Sequence, residues 1–133
     1  MESIRVLCIG DVVGEPGQAL IARHLPKIKK QHAIDLTILN GENSSNQGRG
    51  ITPKIAQDFY ANGVDVITTG NHIWFRREIY PYLDEQPHLL RPANFPSGAP
   101  GRGVTILTIK GHAVAVINLQ GRVFMKELVD CPL

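Results

Sequence analysis

Five residues of this 133-residue sequence have types and spacing that could do chemistry: Asp11, Glu42, Asn43, Asn71 and His72. Asp11 follows Gly10, Glu42 and Asn43 follow Gly41, and Asn71 and His72 follow Gly70, so a glycine precedes each polar cluster. The clusters recur about 30 residues apart, which is one strand–helix unit per step. Two carboxylates brought close together repel, and one takes up a proton unless a cation intervenes. A divalent cation keeps both ionised, and a set of carboxylate and amide oxygens suits Mg, Mn or Fe. A carboxylate can also bridge two metal ions about 3.5–4 Å apart, the separation that clamps an in-line displacement at phosphorus. Glu42, on the middle cluster, is the candidate bridge. His72 directly follows Asn71, so it would lie within reach of a phosphate held there and could protonate the leaving oxygen. Blander readings exist for each residue alone. An Asp after a strand serves equally as a helix cap, and an isolated Asn-His pair is more often loop hydrogen bonding. The coincidence of all three clusters favours a functional rim.

The elements that would position these clusters follow from periodicity. Residues 4–9 form a short apolar run ending at Gly10 and read as a buried strand, with Cys8 as a small buried hydrophobe. Residues 14–17 read as a turn. Leu20, Ile21, His24, Leu25 and Ile28 then recur at helical spacing, which predicts a helix over 18–30 with a kink or break at Pro26. A second strand spans 36–39. The glycine-rich stretch 43–50 is a polar loop, and Thr52-Pro53 opens a helix that Gly63 closes. A third strand covers 64–69, a third helix 76–85, and 91–103 reads as an irregular surface connection. Residues 104–109 and 113–119 flank Lys110-Gly111-His112 as a hairpin. Alternating strands and helices predict an α/β fold, with a mostly parallel sheet, flanking helices and a C-terminal β-hairpin. All three clusters then fall at the carboxyl ends of strands, where open α/β sheets bind ligands. Residues 1–133 read as a single domain.

Composition narrows the function classes. Apolar residues make up 43% and charged residues 20%, ordinary values for a packed globular chain. The net charge of +2 is small and its cations are scattered, so no specific nucleic acid or anionic membrane is expected as a partner. Cys8 and Cys131 do not make a disulfide framework, and the sequence shows no secretory signal or membrane-spanning run. The expectation is a cytoplasmic protein. His24, His32, His88 and His112 read as surface or packing residues. Trp74 and Phe75 read as packing rather than a substrate platform, and Arg49 as a solvated loop residue rather than a phosphate contact. Whether residues 91–94 reach the rim is open.

Five segments, taken together, resemble the YmdB family, a branch of the calcineurin-like metallophosphoesterases. They are Gly10-Asp11-Val12-Val13-Gly14, Asn40-Gly41-Glu42-Asn43, Thr69-Gly70-Asn71-His72-Ile73-Trp74, Arg91-Pro92-Ala93-Asn94-Phe95-Pro96 and Ile117-Asn118-Leu119-Gln120-Gly121-Arg122. The resemblance implies a layered α/β/β/α metallophosphoesterase-like fold. It also implies a two-metal phosphodiesterase acting on 2′,3′-cyclic nucleotides, with iron or manganese (magnesium being possible), and commonly a homo-oligomer. By position, Asp11 resembles a ligand of the first metal, Glu42 the bridging ligand, Asn43 and Asn71 ligands of the second metal, and His72 the proton donor. The family pattern continues into later strands that carry further metal-binding histidines, and this sequence ends at Leu133 before them. The second half of the layered fold is therefore expected to be lacking, and the isolated chain is expected to have little or no activity. The rival reading is a non-catalytic nucleotide-binding or oligomerisation module. Against a dinucleotide site, residues 10–17 space their glycines as Gly-x-x-x-Gly-x-x-Gly, and Asp11 would repel a pyrophosphate.

Overall fold

The computed structural model describes residues 3–126 and 129–132. Four strands, β1 (Val6–Ile9), β2 (Leu36–Asn40), β3 (Val66–Thr68) and β4 (Leu89–Leu90), form a parallel sheet in the order β1-β2-β3-β4. Their apolar residues serve two faces. Leu39, Ile67 and Leu89 face a core that also holds Ile21 and Leu25 of helix α1 (Gly14–His32), Phe59 of α2 (Pro53–Ala61) and Leu83 of α3 (Ile79–Glu85). Leu36, Val66 and Leu90 face the other way, onto an antiparallel hairpin of β5 (Val104–Ile109) and β6 (His112–Ile117). The layers are helices, parallel sheet and hairpin sheet, the α/β/β portion of the expected architecture. Among the described residues, no helix is long and apolar enough to cross a membrane.

Several boundaries differ from the sequence expectation. Helix α1 starts at Gly14, so the expected turn is the first turn of the helix. Pro16 fits there because amides of the first turn have no intrahelical partner to lose. Pro26 lies inside α1 without ending it, and Ile21 and Leu25, in the turn before it, are buried in the core. The third helix begins late. Asn71–Phe75 forms a 3-10 helix, α3 begins at Ile79, and Pro81 again occupies a first turn. β4 is two residues long, too short for periodicity to register. His112 belongs to β6, and the hairpin turns on Lys110 and Gly111, both at positive φ (49° and 78°), as a two-residue primed turn requires. Thr52 caps α2 as expected, accepting the Ile55 N–H at 3.2 Å.

Cys8 is exposed, against the expectation of burial. β1 is an edge strand, and its side chains alternate. Leu7 and Ile9 pack against the helical core, while Val6 and Cys8 point to the opposite side and are exposed. An apolar run is not by itself evidence that both faces of a strand are covered.

The segment between β4 and β5 fastens the two sheets. Arg91 is buried, with its guanidinium donating to the carbonyls of Pro92 (2.8 Å) and Pro100 (3.1 Å). Asn118, just after β6, donates its side-chain amide to the carbonyls of Thr69 (2.8 Å) and Leu90 (3.0 Å), at the carboxyl ends of β3 and β4. Gly103 is packed so closely on Ala93 that a Cβ there would collide with the Ala93 backbone.

Candidate active site

Each polar cluster leaves its strand at the carboxyl end, and backbone hydrogen bonds fix where it goes. The Val12 N–H reaches the Asn40 carbonyl (3.0 Å), the Gly14 N–H the Asn43 carbonyl (3.0 Å) and the Gly41 N–H the Thr68 carbonyl (3.0 Å). The three loops are thereby stitched in the order of the strands. The glycine-rich loop that follows Asn43 is tied down as well. Buried Ser44 donates to the Gly41 carbonyl, Gln18 of α1 donates to the Ser44 carbonyl (2.6 Å), and Arg76 donates to Gln47 (3.0 Å).

On this frame Asp11, Glu42, Asn43 and His72 meet. Asn43 Nδ2 donates to Asp11 Oδ1 at 2.8 Å, and Asn43 Oδ1 lies 2.6 Å from His72 Nδ1. The amide nitrogen can only donate, so Oδ1 accepts and the Nδ1 proton points at Asn43. The chain His72–Asn43–Asp11 leaves Nε2 as the nitrogen free for proton exchange. Glu42 lies beside it: its Oε2 accepts the His72 backbone N–H at 3.2 Å and stands 3.7 Å from His72 Nδ1. Asn40 brackets Glu42, donating to Oε1 and accepting from the Glu42 N–H, both at 3.4 Å. Asn71 lines one cleft with Asn40, Glu42, Thr69 and Gly70. Gly70 leaves no room for a side chain, because a Cβ there would collide with the Glu42 carboxylate, lying 2.7 Å from its Oε2.

The donor set fits a hard cation. Asp11 and Glu42 form no salt bridge with Lys or Arg among the described residues, and the amides of Asn43 and Asn71 add neutral oxygens. Asn43 Oδ1 keeps a second lone pair beyond the one facing His72. The set is also sparse: among the described residues, no group of three His, Cys, Asp or Glu side chains gathers closely enough to hold a metal.

The remaining expectations divide. Trp74 packs edge-to-face against Tyr80 (5.7 Å) and Phe95 (5.2 Å), as expected of a packing residue. Phe75 does not pack inward. It is 54% exposed, meets the His72 ring edge-to-face at 5.3 Å, and carries the Arg49 guanidinium 5.4 Å from its centroid. Arg91 and Asn94 turn away from the rim to structural duties; the Asn94 side chain donates to the carbonyls of Gln120 (2.9 Å) and Asp130 (2.8 Å). Sequence reasoning gave no role to Asn40, Asn118 or Gln120, which help to build the cleft. Asn118 and Gln120 belong to a segment that carried the family resemblance, and that was the available signal.

Residues 7–133 match the sequence family described as YmdB-like protein. The 2′,3′-cyclic-nucleotide 2′-phosphodiesterase of Bacillus subtilis (strain 168) is 47% identical over 127 residues, covering 96% of this chain and 48% of that protein. Among solved structures, a hypothetical protein from Thermus thermophilus superimposes with a TM-score of 0.88 at 39% identity, over 96% of this chain and 49% of its own. A phosphatase from Mycoplasma pneumoniae does so with a TM-score of 0.86 at 29% identity, over 100% and 47%. The chain spans about half the length of the relatives it matches.

Proposed function

This chain belongs to the YmdB-like family, and from that premise we propose that it forms the amino-terminal, metal-binding half of a phosphodiesterase site for 2′,3′-cyclic nucleotides. The observation that carries the reading is the convergence of the three strand-end clusters into one hydrogen-bonded array of Asp11, Asn43, His72 and Glu42. Asp11, Glu42, Asn43 and Asn71 would hold two divalent cations, iron, manganese or magnesium, with Glu42 between them. Bound there, the cations supply charge neutralisation at the phosphate. The protein's own residues do the rest. Asn40 and the His72 backbone N–H aim the Glu42 carboxylate. Asn43 fixes the imidazole through Nδ1, which turns Nε2 toward the substrate as the proton donor. Hydrolysis adds water across one phosphorus–oxygen bond of the cyclic diester. The ribose oxygen that leaves takes its proton from His72, and the product is a phosphomonoester.

The donors present are all oxygen, so the site in the isolated chain should bind Mn²⁺ weakly. Calorimetric titration with Mn²⁺ tests the reading, with hydrolysis of 2′,3′-cyclic AMP followed in parallel. Glu42→Ala should abolish the Mn²⁺ heat while leaving the circular dichroism of the fold intact. Unchanged Mn²⁺ binding in that variant overturns the proposal.

A further inference from the structure

Beside the rim lies an open cleft of about 640 Å³. Asn71, His72, Phe75 and Gln120 line it, together with Phe124 and Met125. The Phe75 ring is 54% exposed, whereas the neighbouring Trp74 finds core partners. Phe75 is also not isolated. The His72 ring edge fixes its orientation at 5.3 Å, and the exposed Arg49 guanidinium sits over it at 5.4 Å. An aromatic ring, a planar cation and the amides of Asn71 and Gln120 thus line one cleft, with the Phe75 ring 5.3 Å from that of the proposed proton donor. A flat heterocycle with polar edges uses such a surface by stacking and edge hydrogen bonds.

We propose that Phe75, aided by Arg49, is the stacking platform for the base of the nucleotide, and so raises the affinity of the site for nucleotides above that for sugar phosphates without a base. This rests on the phosphodiesterase reading given above. In that arrangement the phosphate lies at Asn71 and His72, the ribose spans the cleft, and the base lies against Phe75. Phe75 touches the base and not the reacting atoms, so its effect belongs in affinity.

The test is binding to the 133-residue chain in the presence of Mn²⁺, with adenosine 3′-monophosphate and ribose 5-phosphate as probes, using wild type, Phe75→Ala and Phe75→Tyr. Loss of one stacking partner is expected to weaken the nucleotide about 10-fold in Phe75→Ala. Ribose 5-phosphate should bind both proteins equally, and Phe75→Tyr should restore nucleotide affinity. Wild-type protein that binds both probes equally, or a Phe75→Ala variant that keeps full nucleotide affinity, overturns the platform while leaving the phosphate site standing. Failure of both probes to bind at all overturns the phosphodiesterase reading, and the platform with it.

Discussion

At the scale of single residues the site is defined by one carboxylate and what keeps room for it. Gly70 does not need glycine for its backbone, since its φ of −141° is open to any residue. It needs glycine because Glu42 occupies the space a Cβ would fill. The atoms in the way are the far end of a flexible side chain, so Gly70→Ala should displace Glu42 and lower stability by less than about 1 kcal/mol. Mn²⁺ binding should be lost although the melting temperature barely moves. A variant that keeps its Mn²⁺ heat would show that Glu42 is not held where binding requires. His72 calls for a different measurement. In the catalytically complete protein, His72→Ala should reduce turnover of 2′,3′-cyclic AMP about 10²–10⁴-fold. The loss should be much smaller for bis-p-nitrophenyl phosphate, whose leaving group needs little protonation; equal losses would count against proton donation. The residue types and spacing of Asp11, Glu42, Asn43, Asn71 and His72 were legible in the sequence, because strand ends bring successive loops together. The role of Asn40 as a bracket and the exposure of Phe75 were not, since both depend on which way a side chain turns within a loop.

At the scale of elements, β1 and the hairpin are joined by Asp35, which lies just before β2. Its carboxylate accepts the Arg5 N–H at 2.8 Å and pairs with Lys110 Nζ at 2.9 Å. The Arg5 amide, and then Lys110, hold its pKa below the ordinary 3.8. A carboxylate with a lowered folded pKa stabilises fully above its unfolded value, and that contribution disappears as pH falls through the folded value. The melting temperature of wild type should therefore exceed that of Asp35→Asn at pH 7, and the two should converge toward pH 3. A gap that persists at acid pH would assign the stabilisation to something other than the charge. Periodicity found β1, β2, β3, α2 and the hairpin because each has an apolar run or a cap of its own. It started α1 late because residues 14–17 were read as a turn, whereas Pro16 lies in the first turn of the helix, and it started the third helix early, at 76 rather than at Ile79. It missed β4 because two residues carry no period. Cys8 was misjudged because the burial of an edge strand depends on what covers it.

At the scale of the whole molecule, two apolar surfaces stand open. Val104 and Ile106 of β5, Ile117 of β6 and Leu119 just beyond it present 41–67% of their surface, and β1 pairs on one side only, with Val6 45% exposed. An unpaired edge beside an apolar face invites association. Light scattering of this 133-residue chain should report a mass above that of one copy, and Ile106→Lys, at the centre of the hairpin's outer face, should lower it. A wild-type chain that stays monomeric at high concentration would show these faces to be inert. The docking of the hairpin has a further consequence for motion. Asn118 donates to the ends of both β3 and β4, while its own carbonyl accepts the Ala93 N–H at 2.7 Å and its N–H reaches the Gly103 carbonyl at 2.9 Å. The second sheet, the connection from β4 and one wall of the cleft meet at this one residue. An opening at Asn118 would loosen the parts of all three that it holds in one event, so the backbone protons around it would trade with solvent deuterium at a common rate, ahead of the protected strands β2 and β3.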